Sequence, residues 1–293
     1  MSGKRGRMTM NRISISQAWS YATSFFAGQG ANHAIALIGM GIFVPMIMQF
    51  VIGGGAAMAD PMAFAAGGGF AAMGALAILL SLVSYILQTG SYFASWRLGL
   101  TNGAEPLSSA LGFGLIAALP TLLLAIVFVL ALVLIGFVLF GGAMAPMMMG
   151  GQPSQALSAG TGMLLLLLIP LFFLFLVWLA ARFCCTGPVM ADQRTFNVLT
   201  GLGESWRITA ASQWKIFGYF ILIGIALFII FMLLAMIVGV SMFAGGGVPS
   251  EGSMIGVIVG MLLLSIPMAY LQVGVPAGIY RALGGRSESD VFA

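Results

Sequence analysis

Residues 163–181 read MLLLLLIPLFFLFLVWLAA, an apolar run with no charge and no alternation. About 20 helical residues span the hydrocarbon core of a bilayer. A membrane β-barrel uses alternating segments of about 10 residues instead, so this run dictates a helix. The rest of the chain obeys the same constraint. Of its 293 residues, 61% are hydrophobic and 6% are charged. A soluble domain carries roughly 25% charged residues, so too few remain here to cover a water-facing surface. The expected fold class is an all-α polytopic membrane protein.

Six transmembrane helices can be placed, at about 32–52, 71–97, 115–140, 163–184, 216–243 and 254–280. They form a single membrane domain over residues 13–285, between a basic tail at 1–12 and a polar tail at 286–293. Pro45 is expected to kink the first span. Pro120 is expected to separate a helix opened by Glu105 and Pro106 from the third span. No cleavable signal peptide is expected, because no continuous apolar core follows the basic start.

Charge sets the orientation. With the N-terminus in the cytoplasm, every cation falls on the cytoplasmic side: Lys4, Arg5, Arg7, Arg12, Arg97, Arg182, Arg194, Arg207, Lys215, Arg281 and Arg286. The opposite loops carry only Asp60 and Glu251. A bacterial inner-membrane protein with both termini cytoplasmic is expected. The formal net charge of +4 is then explained by topology and anionic headgroups, and no nucleic acid is implied.

Three cytoplasm-to-cytoplasm segments look alike, and the chain reads as three repeats of an interfacial amphipathic helix plus a helical hairpin. The first entry helix, Ser14–Ala27, shows one apolar face at Ile15, Ala18, Trp19, Ala22, Phe25 and Phe26. Ser14 and Gln17 fit a capping box. The segment is too polar to span, so Trp19 and the phenylalanines are expected to face acyl chains. AWSYAT and SWRITA correspond, which makes Trp19 and Trp206 equivalent, with Leu111 in that place in the second unit. The exits SWRLGL, AARFCC and IYRALG each carry one arginine, Arg97, Arg182 or Arg281, expected to snorkel to headgroups.

The longest polar stretch, Arg182–Lys215, is read as a cytoplasmic turn, an interfacial helix and the entry to the fifth span. Phe196, Leu199, Leu202, Trp206 and Ala210 share one face of that helix. Trp206 and Trp214 suit the headgroup boundary, where an indole ring is buried and its N–H stays wet.

Groups for chemistry are scarce. The chain has one histidine, His33, expected at the interface, and no HExxH, GxSxG or P-loop pattern. Cys184 and Cys185 have no metal spacing and are expected to pack. No metal or cofactor is expected. The motif Gly256–Gly260 permits close helix approach. Candidate lipid-headgroup or partner contacts are Trp19, Arg97, Arg182, Arg194, Trp206, Arg207, Trp214, Lys215 and Arg281. A second set, Gln49, Ser84, Gln88, Tyr270 and Gln272, offers the lining of a polar cavity, with Ser81, Ser91, Ser95 and Ser265 nearby.

From Trp178 to Gly224 the chain resembles the membrane domain attached to some glycerophosphodiester phosphodiesterases and found alone in uncharacterised bacterial inner-membrane proteins. The likeness rests on Arg182-Phe183, Pro188, Glu204–Thr209, Trp214–Gly218 and Ile279-Tyr280-Arg281. In the fused enzymes the activity lives in a separate soluble barrel with catalytic carboxylates and histidines, so the resemblance implies a membrane domain and not an enzyme. The expected role is non-catalytic and lipid-interacting, structural or accessory, with anionic membrane lipids as partners. The alternative is a transporter or channel for a small or amphiphilic solute. A protein partner or a homo-oligomer is left open. Reporter fusions at Gly67, Gly150 and Gly247 are expected to read out the periplasm. A cytoplasmic signal at any of the three overturns the six-span arrangement.

Overall fold

The computed structural model describes residues 14–49, 68–148, 159–244 and 251–284. The expectations for the basic tail, the Asp60 loop, the chargeless loop before the fourth span and the polar C-terminal tail fall outside those residues. Among the described residues there is no strand, and six helices are long and apolar enough to cross a membrane. The chain is therefore a multi-pass helical membrane protein, as its hydropathy requires.

In order, α1 is Ile15–Ser24, α2 is Gly30–Met48, α3 is Gly68–Leu100, α4 is Leu107–Met148 and α5 is Ala159–Phe183. Two short helices follow, α6 at Thr186–Asp192 and α7 at Val198–Thr209. A single 3-10 turn leads into α8, Gln213–Ala244, and α9 is Glu251–Ala282. Each of the six long helices overlaps one expected span, but Pro120 does not divide anything: α4 is continuous through it. The Thr121 hydroxyl donates to the Ala117 carbonyl in this turn. In α2 the middle turns, Ile35–Phe43, are π-helical, and the Val44 N–H reaches back five residues to the Gly39 carbonyl just before Pro45.

The core lies at one end of the bundle, and its centre is α6. Gly187, Pro188, Val189, Met190 and Ala191 are all buried. The sequence reads as a cytoplasmic turn here, and the structure has a buried helix instead. It is a helix because Pro188 sits in the first turn, where its missing N–H costs little. A wrap of side chains from α3, α7 and α9 supplies the apolar surroundings. The far ends of the long helices differ. Leu123, Leu130, Leu134, Leu167, Phe173, Leu222, Phe228 and Phe231 are exposed, which suits a hydrocarbon solvent and no other.

Each entry element packs on the exit of the unit before it. The start of α4 lies on α3, where an added methyl on Gly114 would collide with the Gly90 carbonyl. α7 lies on the end of α5, where the Ser205 hydroxyl donates to the Arg182 carbonyl at 2.9 Å. α1 lies on the end of α9, where Gly278 faces the backbone of Ala18 and Ala22, and Gly274 faces the Phe26 ring. The three contacts close a ring. Gly274 and Gly278 form the small-residue stripe that permits the α1–α9 approach. Gly260, from the pair singled out in the sequence, has open space beside it.

Three local expectations are corrected. No capping box forms: the Ser14 side chain makes no cap bond, and Gln17 donates to the Tyr21 hydroxyl instead. Phe25 is 3% exposed and so does not face acyl chains. It fills the space beside Gly99. His33 is fully buried, 2.6 Å from the Ser95 hydroxyl through Nδ1, with Phe25 and Phe26 against its ring.

Gly187 carries a sharp packing demand, since a side-chain carbon there would overlap the Trp96 ring. That ring is held by its own N–H on the Val273 carbonyl at 2.9 Å. Gly187→Ala is expected to cost about 1–3 kcal/mol through overpacking, read as a lowered thermal midpoint of the detergent-solubilised protein. Gly260→Ala, beside open space, is expected to leave the midpoint unchanged or slightly raised. The reverse order would contradict this packing.

Candidate lipid-facing site

The three exit arginines end their spans alike but find different partners. Arg97, near the end of α3, is 5% exposed. It forms a salt bridge with Glu105 and donates to the Ala191 carbonyl at 2.9 Å. That carbonyl belongs to the last turn of α6, where the helix dipole is negative. Arg281 donates to the Gly99 carbonyl at 2.7 Å and lies over the Phe25 ring. Arg182, near the end of α5, is 3% exposed. Its guanidinium carbon stands 3.9 Å from the centre of the Trp206 ring, and a terminal nitrogen donates to Thr209 Oγ1 at 3.2 Å. Arg97 and Arg182 therefore do not snorkel. A compact core at the helix ends surrounds them, supplying Arg97 with the acceptors water would otherwise provide and Arg182 with fewer.

α7 explains how Trp206 reaches this place. Asn197 caps the helix, its side-chain oxygen accepting from the N–H groups of Leu199 and Thr200. Val198, Gly201, Ser205 and Thr209 then face inward at three- and four-residue steps. Phe196, Leu199 and Trp206 are left exposed on the outer side, the side predicted to be apolar. Thr209 donates to the Ser205 carbonyl at 2.7 Å, and Ser205 to the Arg182 carbonyl. The Arg182 carbonyl lies in the last turn of α5, which has no helical donor of its own.

Below this lies a groove of about 590 Å³ between α5 and α8, lined by Leu168, Leu171, Phe175, Trp178, Trp214 and Phe217 among others. Gln213 is the polar residue of the lining. Trp178 meets Trp206 edge to face at 5.7 Å, so the wall of the groove touches the ring that covers Arg182. A second apolar groove, about 500 Å³, runs between α8, α5 and α9 past Phe173, Phe220, Phe228 and Met268.

The predicted headgroup set divides accordingly. Trp19, Arg194, Trp206, Arg207, Trp214 and Lys215 are exposed, Arg281 is half-buried, and Arg97 and Arg182 are buried. Trp214 lines the groove, while Trp206 and Arg182 stand beside it, joined to its wall through Trp178. Trp19 lies on α1 and Arg97 in the α6 network. Arg207 pairs with Glu204 one turn before it. The predicted cavity residues are not brought together. Ser84 is buried with an unpartnered hydroxyl. Tyr270 packs on Phe26 at 4.8 Å. Gln49, Gln88 and Gln272 are exposed, and none of the five lines either groove. Trp178, Thr209 and Glu105 were missed. Trp178 could have been found from its four-residue step to Arg182, which places both on one helix face.

Glu105 balances two cations. Burial pushes its carboxyl up, but the hydrogen bonds from Ser109 and Arg97 and the charges of Arg97 and Arg194 outweigh that, and the net shift is downward. A carboxyl held below its ordinary value stabilises the fold at pH above that value, near 4.5. The contribution is lost as pH falls through the lower folded-state value. Acidification is therefore expected to lower the thermal midpoint, and Glu105→Gln to flatten that dependence. Glu105→Ala at neutral pH is expected to cost roughly 3–5 kcal/mol, because Arg97 is left buried and unpaired. An unchanged acid profile in Glu105→Gln would assign the acid response elsewhere. Set against known proteins, the chain matches no family model, no curated protein and no solved structure.

Proposed function

We propose that this chain is a non-catalytic lipid-binding protein of a bacterial inner membrane, with both termini in the cytoplasm and the α1, α6 and α7 end at the cytoplasmic headgroup level. The observation that carries this reading is the groove between α5 and α8. Its walls are apolar over Leu168–Trp178, ten residue steps or roughly 15 Å of helix. That is about half the hydrocarbon thickness, the depth of one leaflet. Its upper end is framed by Trp178, Trp214 and Gln213, residue types suited to the headgroup boundary.

Charge supports the same reading. Arg194, Arg207 and Lys215 are exposed on or beside α7, and each cation near an anionic leaflet adds about 1 kcal/mol of attraction. The outer side of α7, with Phe196, Leu199 and Trp206 exposed, has the character of a helix lying in the interface.

The triple reversal Arg194→Glu, Arg207→Glu and Lys215→Glu tests the proposal in liposomes of defined composition. Retention of anionic lipid by the reconstituted protein is expected to fall at least tenfold while the protein stays monodisperse. Retention equal to the wild type would reduce these cations to topology signals and remove the electrostatic half of the proposal.

A further inference from the structure

Arg182 differs from Arg97, Arg194 and Arg207, each of which meets a carboxylate. The ion pairs among the described residues join Arg97 and Arg194 to Glu105, and Arg207 to Glu204. None reaches Arg182. Its guanidinium has Thr209 Oγ1 on one terminal nitrogen and the Trp206 ring across its face, while Nε is buried with no hydrogen-bond partner. The Thr209 hydroxyl directs its own proton to backbone carbonyls, Ser205 at 2.7 Å and Arg182 itself at 3.2 Å, so toward the guanidinium it serves as an acceptor. A cation and a free N–H in this setting are costly unless an anion completes them. The planar fork of a guanidinium matches two oxygens of a phosphate.

The cover is placed to be moved. Trp206 is 40% exposed, so its ring is the partition between Arg182 and the outside. Trp178 touches that ring edge-on and also lines the α5–α8 groove. A ligand with an anion at Arg182 would therefore have its apolar part in the groove. Free phosphate would leave those aromatic walls unused.

We propose that Arg182 is the phosphate-binding residue for an anionic phospholipid whose acyl chain lies in the α5–α8 groove, with Trp206 as the displaceable cover of the guanidinium. This rests on the lipid-binding reading above and assigns its specificity to one buried residue. Two phosphate oxygens accept from Nε and a terminal nitrogen, and the indole moves aside to headgroup level, where indoles are favoured. The exposed cations steer lipid and are screened by salt, whereas a pair at Arg182 is shielded from it.

The test uses the full chain in nanodiscs of equal phosphatidylglycerol and phosphatidylcholine, with retained lipid counted by native mass spectrometry at low and high salt. The wild type is expected to enrich phosphatidylglycerol in a manner that high salt does not abolish. Arg182→Gln is expected to lose that enrichment at least tenfold, because both charge-assisted bonds to the phosphate go, and Arg182→Lys to lose less. Trp206→Ala, which keeps the cation, is expected to raise enrichment severalfold by removing the competing ring contact. Enrichment unchanged in Arg182→Gln, or lowered in Trp206→Ala, overturns the proposal. If Arg182→Gln binds normally while the triple reversal does not, the lipid-binding reading stands and only the Arg182 assignment falls. If the wild type retains no phosphatidylglycerol, both fall. Displacement of the lipid by millimolar inorganic phosphate would assign the site to free phosphate instead.

Discussion

A guanidinium cannot be discharged at accessible pH, so an arginine drawn out of water must be met by acceptors. Among the described residues two are drawn in, Arg97 and Arg182, at the ends of separate spans. Much of the remaining polar structure exists to receive them. Arg97 organises Glu105, Ser109 and the last carbonyls of α6. Tyr280 adds a bond to Asp192 at 2.6 Å, which fixes the end of α9 to the same place. Arg182 is met with less: a ring face, one hydroxyl and no carboxylate among the described residues. The two sites show a satisfied and an incompletely satisfied solution to one problem within a single core.

Away from that core, the helices are held by other means. Apolar side chains gain little by leaving lipid, so close approach in a bilayer depends on small residues and local hydrogen bonds. Gly90 against Gly114, and Gly274 and Gly278 against α1, supply the first. Trp96 on Val273 supplies the second. The exposed lengths of α4, α5 and α8 carry Leu, Ile, Val and Phe almost without interruption. Two aromatic-walled grooves lie between α5 and α8, the second bounded also by α9.

The spans were legible in the sequence because hydropathy acts over 20 or so residues and no tertiary contact can override it. The exposed side of α7 was legible for a similar reason, since periodicity alone defines it. α6 was not. Its seven residues carry no amphipathic period, because all sides are buried. Its C-terminal stop is also disguised: Arg194 takes the left-handed position after the helix at φ 50, where glycine is usual. The Thr195 N–H bonds back to the Met190 carbonyl, as that cap requires. His33 was misplaced because its position near a span's end says nothing of the depth set by α1 and α3. The gathering of Trp178, Trp206 and Arg182 joins α5 to α7 through space, and only the Trp178–Arg182 step is written locally.

The seat of α1 on α9 has a consequence for how the chain assembles. Ala18 and Ala22 rest on Gly278 and Gly274, so the first described helix meets the last, with nearly all the described sequence between them. During synthesis α1 emerges long before its docking surface exists. Its exposed Trp19 and Ile15 give it somewhere to wait, at the membrane surface. The ring of contacts therefore closes from its two ends, late, and on a surface of two glycines where one extra methyl group would hold it open.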